Sequence, residues 1–357
     1  MTPISIYDTP GVDRLRSELK FDPRRLRGLR TAYFKKFRGV EAALAELPEN
    51  IREEFARRVE FHPLTIAQGL DSQLDGATKL VLRTQAGFAI ESVIMRTETG
   101  RVALCLSSQV GCAATCQFCA TGQMGIAKSL TAAEILDQIM VAGEHLHSEG
   151  RAVRNIVFMG MGEPFHNEVA IYEAIASLLA PELFHHPASR ILVSTVGIPD
   201  AMVRCARRFP GINMALSLHS VRQETREQLI PLAAKYPLDE LRSAVAAVNR
   251  IQNNTVMIEY LMLAGVNDSP EDARELACWL AGLDAHVNLI PFNPIETAPH
   301  LQSTGRAERD AFAAIVREAG FVTTIRYSLG ADIAAACGQL VQSENRRIAM
   351  QQVAANS

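Results

Sequence analysis

Three cysteines in the run CAATCQFCATG, Cys112, Cys116 and Cys119, have the clearest chemical potential in this chain. Their spacing, Cys-x3-Cys-x2-Cys, puts three thiols on one short loop. A [4Fe–4S] cluster takes four thiolates, one per iron. Three local thiolates therefore hold three irons and leave the fourth open to a small molecule. Two plainer readings compete. A structural zinc site would recruit Cys105 or a histidine as fourth ligand, but such sites usually pair two close cysteines with a second, distant pair. Scattered core thiols would not need the flanking Gly111 and Gly122, and glycine lets backbone approach a bulky inorganic group.

Such a loop needs a scaffold, and the chain supplies one from Cys105 onward. Short apolar runs alternate with helical patterns: NIVFMG (155–160), RILVST (190–195), NMALSLHS (213–220), TVMIEYLML (255–263), HVNLIPFN (286–293) and VTTIRY (322–327). The first helix opens on Thr131 with Glu134 three residues later, a capping box, and runs to about His147. Repeated βα units imply a parallel sheet with helices outside. About six units predict an α/β fold built as a partial, open (β/α)6 barrel rather than the full eight. Residues 105–345 are assigned to it. Residues 76–104 read as a β extension, with a turn at Thr97–Gly100. Residues 1–75 read as a small helical domain, with apolar residues at three- and four-residue spacing around Pro23–Phe37, Val40–Leu47 and Pro48–Val59. No internal repeat or low-complexity segment is present.

In barrels of this kind the site lies at the C-terminal ends of the strands. Gly160-Met-Gly162-Glu163-Pro164 follows the second strand, and Glu163 can accept hydrogen bonds from an ammonium group. Ser194 ends the third strand, Ser217 and His219 the fourth, and Asn293 follows the sixth. Each alone is more often a satisfied loop residue than a ligand. Together with the cysteine loop they read as one cofactor pocket. Cys105, before the loop, and Cys337, in ADIAAACGQL, are two further thiols whose plain reading is burial. Cys205 and Cys278 sit in helical patterns and read as ordinary thiols.

The 357 residues suffice for a large core, and 48% hydrophobic with 21% charged residues is ordinary globular composition. No apolar run is long enough to suggest a membrane span, and the start MTPISIYDTPGVDR lacks the basic-then-apolar order of a secretory signal. Seven cysteines without disulfide-scaffold spacing fit a reducing cytoplasm. Net charge is −3, yet ten basic residues crowd Arg14–Arg38 (Arg14, Arg16, Lys20, Arg24, Arg25, Arg27, Arg30, Lys35, Lys36 and Arg38) against only Glu18 and Asp22. That patch is an electrostatic footprint for a phosphate backbone or, more plainly, a solvated helical face. Tyr33, Phe34 and Phe37 interleave with it at helical spacing, which suits core positions better than base stacking.

The cysteine spacing resembles the radical-SAM superfamily, whose members bind S-adenosylmethionine (SAM) at the open iron. There they break its S–C5′ bond with one electron and release a 5′-deoxyadenosyl radical. The run LCLSSQVGCAATCQFCATGQMG, with FMGMGEP, LVSTVGIP, LSLH, FNP and DIAAACGQL, resembles the RlmN/Cfr family of radical-SAM adenosine methyltransferases more narrowly, from about Glu91 to the C-terminus. The N-terminal domain resembles that family's RNA-binding accessory domain more loosely. The resemblance implies Cys112, Cys116 and Cys119 as cluster ligands, and a SAM pocket at Gly162, Glu163, Ser194, Ser217, Leu218, His219 and Asn293. It implies Cys337 as a methyl carrier through S-methylcysteine, Cys105 as the thiol that resolves the adduct by a transient disulfide with Cys337, and Glu91 as proton acceptor. The implied product is an adenosine methylated at C2 or C8 in ribosomal RNA, with transfer RNA a second candidate, and an external electron donor is implied. One departure stands out. RlmN-type members commonly carry an Arg-Gly pair upstream of the last motif, whereas this chain has Arg326-Tyr-Ser-Leu-Gly330. The C8-methylating branch also lacks the pair, so C2 and C8 both stay open. A radical-SAM enzyme inserting sulfur would need a second cysteine triad, which Cys105, Cys205, Cys278 and Cys337 do not form. A non-catalytic RNA-binding module with a structural metal is the remaining alternative.

Overall fold

The computed structural model describes residues 3–342 and 344–355. Its first unit is helical. Strands β1 (Ile4–Ser5) and β2 (Val59–Glu60) pair in parallel and bracket α1 (Thr9–Glu18), α2 (Pro23–Arg30), α3 (Gly39–Leu44) and α4 (Glu49–Arg58). Asp8 and Asp22 cap the first two helices by accepting from the Gly11 and Arg24 amides at 3.0 and 2.7 Å. The single helix expected over Pro23–Phe37 widens after Arg30 into a π-type turn, Thr31–Lys35, and α1 was not anticipated.

The strands β3 (Leu64–Asp71), β4 (Ala77–Thr84), β5 (Ala89–Arg96) and β6 (Val102–Cys105) are antiparallel neighbours. β3 corrects one boundary: it falls within the range read as helical, yet pairs along its length with β4. Its solvent-facing residues hide it from an apolar-pattern reading, since only Leu64 among them is buried. From β6 the sheet turns parallel through β7 (Asn155–Phe158), β8 (Ile191–Thr195), β9 (Asn213–Ser217), β10 (Val256–Met262), β11 (Ala285–Pro291) and β12 (Val322–Ile325). The crossovers carry α5 (Ala132–Ser148), α6 (Glu168–Leu179), α7 (Pro199–Arg208), α8 (Gln223–Leu229) with α9 (Leu238–Gln252), α10 (Pro270–Leu280) and α11 (Arg306–Glu318); α12 (Glu344–Ala355) ends the chain. Six βα units followed by β12 make a partial (β/α)6 barrel. The sheet order is linear from β3 to β12, so the barrel is open. The capping box at Thr131 and Glu134 forms as the sequence predicts. Among the described residues no helix is long and apolar enough to cross a membrane.

Two contacts fix the helical unit on the barrel. Phe37 lies so close to Gly143 of α5 that a Cβ there would collide with its ring, and Phe34 meets Phe184 at 5.1 Å between centroids. Tyr33 and Phe34 are fully buried, as their spacing suggested; side chains of this kind contribute about 1.5–3 kcal/mol each on burial. Beside them Asp137, buried in α5, accepts from the Leu64 amide at 2.9 Å and pairs with His62 Nδ1 at 2.7 Å, while His62 Nε2 stands 3.4 Å from Glu144. Burial alone would push the His62 pKa down, but hydrogen bonds and charge from Asp137 and Glu144 raise it to about 10.

The folded state therefore favours the imidazolium. Its contribution is complete below the ordinary value of 6.5 and is lost as pH rises through about 10. The thermal midpoint should fall over that window, and His62→Gln should lower stability at pH 6 while flattening the decline. An unaltered slope in the variant, read by calorimetry, would show that another group titrates.

A cysteine-lined cavity at the strand ends as candidate active site

The segment leaving β6 is held before it reaches the cysteines. Gln138 of α5, fully buried, accepts from the Ser107 amide at 2.9 Å and donates to the Ser107 carbonyl at 2.9 Å. The Ser107 hydroxyl donates to the Glu91 carbonyl at 2.6 Å and accepts from the Met161 amide at 2.8 Å. LCLSS thus joins β5, α5 and the glycine-rich turn after β7. Beyond it the loop is tied on two further sides. The Gln117 amide donates to the Leu229 carbonyl at 2.9 Å, and the Ala120 amide to the Gly338 carbonyl at 2.8 Å.

Cys112, Cys116 and Cys119 line one cavity at the strand ends, with about 860 Å³ free of protein atoms including its mouth. Burial pushes the Cys112 thiol up to about 12 and raises Cys116 and Cys119 as well. Cysteine binds metal as thiolate and gives up its proton on coordination, so these thiols need a cationic cluster to ionise. Among the described residues no three His, Cys, Asp or Glu side chains converge as one metal ion requires. The three sulfurs are instead spread along the cavity wall, an arrangement suited to a cluster with one iron per thiolate. They fit a [4Fe–4S] cluster better than a single tetrahedral zinc.

The same cavity is walled by Gly162, Glu163, Ser194, Ser217 and His219. Glu163 is buried and saturated from within: Oε1 accepts from Thr195 Oγ1 at 2.7 Å and the Phe165 amide at 3.0 Å, Oε2 from the Val196 amide at 2.9 Å. Burial raises its pKa and those bonds partly offset the rise. His219 holds a left-handed backbone (φ 60°), and its Nδ1 accepts from the Leu261 amide at 3.0 Å. Burial and the Arg226 charge push its pKa down to about 3. It is therefore neutral with its proton on Nε2. Leu218 and Asn293 stand outside the wall. Leu218 is a core side chain whose amide donates to the Glu259 carbonyl at 3.0 Å. Asn293 Nδ2 donates to the Cys337 carbonyl and to Ser328 Oγ, both at 3.0 Å.

Cys337 reaches the cavity wall on a segment fastened along its length. Lys79 Nζ donates to the Ala334 carbonyl at 3.2 Å, Thr121 Oγ1 to the Leu340 carbonyl at 2.5 Å, and Gln339 Nε2 to the Pro294 carbonyl at 3.0 Å. Glu91, fully buried on β5, accepts from the Val341 amide at 2.8 Å and Gln342 Nε2 at 2.9 Å, and pairs with Lys79 at 3.0 Å. Burial raises its pKa against those partners. Glu91 is thus beneath the Cys337 segment, not on the cavity wall. Cys105, at the buried end of β6, has its thiol pushed up to about 12 by burial and by the charge of Cys337. Cys337 is open to solvent, yet desolvation within the site still holds its thiol up to about 11, with Arg326 pulling down and Glu259 up.

Two site residues were missed from sequence. Glu259 of β10 lines the cavity, and its Oε2 accepts from Ser194 Oγ at 2.9 Å and Ser217 Oγ at 3.3 Å. Its Oε1 is buried without a hydrogen-bond partner, 3.8 Å from Arg326 Nη1. A lone carboxylate in the apolar run TVMIEYLML was the available signal. Arg226 of α8, fully buried, donates to the carbonyls of Val196, Ser217 and Leu218. Nothing in its polar helix marked it as internal.

Gly338 generates a direct test of the fastening. Its φ is +85°, and a Cβ would stand 3.1 Å from the Phe118 carbonyl oxygen. Gly338→Ala should cost about 1–2 kcal/mol for the left-handed backbone alone and speed hydrogen exchange at the Ala120 amide. Unchanged protection there would mean that the two segments are held together by other contacts.

Residues 106–277 match the radical SAM superfamily. A probable RNA methyltransferase of Rhodopirellula baltica is 51% identical over 348 residues, covering 98% of this chain and 90% of its own. A probable dual-specificity RNA methyltransferase RlmN of Thermus thermophilus is 43% identical over 297 residues, 83% of each chain. The crystal structure of a radical SAM methyltransferase from Sphaerobacter thermophilus superposes with a TM-score of 0.89 at 37% identity, over 95% of this chain and 99% of that one. With the cysteine loop, the strand-end pocket and the Cys337 segment in one cavity wall, this chain belongs to the RlmN/Cfr family of radical-SAM methyltransferases.

Proposed function

We propose that this enzyme methylates C2 or C8 of an adenosine in RNA, ribosomal RNA first and transfer RNA as the alternative, by way of a methyl group carried on Cys337. The observation that carries the reading is the placement of Cys337, from the far end of the chain, on the same cavity wall as Cys112, Cys116 and Cys119. The relatives named RNA methyltransferases support RNA as the substrate class.

When bound, the cluster supplies one electron from an external donor, and SAM supplies both a methyl group and a hydrogen-abstracting carbon radical. Such chemistry is required because C2 and C8 of adenine are electron-poor and do not attack a methyl cation equivalent. Cys112, Cys116 and Cys119 would hold the irons. Gly162, Glu163, Ser194, Ser217 and His219 would orient SAM: Glu163 and Glu259 offer carboxylate oxygens to its cationic groups, and the His219 Nε2–H offers a donor. Cys337 would accept a methyl group as thiolate, present it to the adenine carbon, and hold the base covalently, replacing a bimolecular encounter. Cys105 would then attack the Cys337 sulfur. A disulfide forms, the carbon–sulfur bond breaks, and thiols of the cell restore both cysteines. Asn293 would keep the Cys337 backbone in register through its carbonyl. Glu91 would take the proton from the modified carbon, which requires the 341–342 segment to release one of its oxygens.

The helical unit supports the RNA reading. Eight of the ten basic residues between Arg14 and Arg38 are exposed; Arg30 is buried in an ion pair with Asp13 at 3.2 Å and Arg16 is partly covered. Phosphate contacts of this kind position a nucleic acid without reading its sequence. The target base would be unstacked to enter the cavity.

Cys337→Ala should leave iron and sulfide content unchanged and lower methyl transfer at least 1000-fold, on the order of what loss of a nucleophile costs. Methylated RNA at the normal rate would remove the carrier role. Cys105→Ala should accumulate a covalent protein–RNA adduct on denaturing gels. Free methylated RNA with no adduct would show that another group resolves it. Mass spectrometry of adenosines from the treated RNA reads the carbon.

A further inference from the structure

The cavity floor contains a charge that the chain does not neutralise. Arg226 is 0% exposed. Among the described residues no carboxylate pairs with it: its Nη1 and Nη2 donate only to the carbonyls of Ser217, Leu218 and Val196, and its Nε has no partner. A buried ion without a counter-ion costs several kcal/mol even after relaxation. Carbonyl dipoles reduce that cost without cancelling the charge. Histidine cannot help, because the neighbouring His219 is itself neutral.

The direction of the unmatched charge is set by the fold. Arg226 lies on α8, whose last residue, Leu229, accepts from the Gln117 amide next to Cys116 at 2.9 Å. Cys116 packs with Leu229 in one apolar cluster, and Val196 packs against it. The guanidinium is the cation whose field reaches the Cys116 thiol. A cube held by three thiolates carries a net negative charge, and that charge grows by one unit on reduction.

We propose that Arg226 is the internal counter-charge of the iron–sulfur cluster and favours its reduced state. This rests on the cluster assignment, which iron and sulfide analysis of the wild-type protein tests separately and first. The cation attracts the reduced cluster more strongly than the oxidised one, so it makes uptake of one electron from a low-potential donor easier. No bond forms or breaks at Arg226. It acts as a positioning and electrostatic residue behind Cys116.

The test is an anaerobic redox titration of the reconstituted protein with dithionite, followed by electron paramagnetic resonance, in wild type, Arg226→Gln and Arg226→Lys. Arg226→Gln should shift the midpoint to more negative potential, with about a tenfold lower reduced-to-oxidised ratio at fixed poise, which is about 59 mV for one electron. Arg226→Lys keeps the charge but loses the planar fork, and should shift by less than half as much. A Gln variant at the wild-type potential, or a Lys variant displaced as far as Gln, would overturn the proposal. Should Arg226→Gln not fold, a folded, fully iron-loaded Arg226→Lys decides: a small shift supports the counter-charge, and a tenfold change in ratio refutes it. If neither variant folds without iron, the residue is a fastener of strand ends and the proposal fails.

Discussion

The site depends on a stretch of chain that has no regular structure of its own. Residues 330–342 contain one short turn of 3-10 helix, Ala331–Ile333, and otherwise belong to neither sheet nor helix. They stay in place because other elements satisfy their polar groups. Asp75 accepts from the Gly330 amide at 2.8 Å, Lys79 donates to Ala334, Ala120 and Thr121 donate to Gly338 and Leu340, and Glu91 accepts from Val341 and Gln342. Buried backbone groups left unpaired are costly, so each bond selects one path for the segment. That path sets Cys337 among residues more than 200 positions earlier in the chain. The antiparallel extension β3–β5 thus has a clear role as the rail on which the tail is docked.

The electrostatics of the cavity follow from the same economy of partners. Glu163 is fully committed to amides and a hydroxyl around the strand ends, so its charge is shared before any ligand enters. Glu259 is half committed, with one oxygen held by two serines and the other open. Arg226 is committed to dipoles alone. A low-dielectric floor with an open carboxylate oxygen and an unmatched cation is costly for folding by itself. It becomes favourable when an anionic cluster and a cationic cofactor occupy it. The strain of unmatched charges at the site is offset elsewhere by a continuous apolar core from the helical unit through the barrel.

The barrel was legible because its strands and helices are locally consistent. Short apolar runs such as NIVF and ILVST are buried parallel strands, and they can be nothing else at that length between capped helices. β3 and α1 escaped because their faces are largely polar, so periodicity gave no contrast. The cysteine loop was legible because its ligands are neighbours in sequence. Glu259 and Arg226 were not, since burial of a single charged residue depends on what surrounds it rather than on its own segment.

Residue types and local spacing alone determined the three thiolates, the βα order and the strand-end polar residues. These features act over a few residues, within reach of one loop or one turn, and the chain states them directly. Tertiary structure alone decided that Cys337 meets the cavity, that Asn293 holds its carbonyl while Glu91 holds the segment beyond it, and that Arg226 stands unpaired behind Cys116. Those outcomes depend on hydrogen-bond satisfaction between distant segments, which no window of sequence contains. The physical reason is the same in each case: a buried polar group takes its meaning from its partner, and the fold chooses the partner.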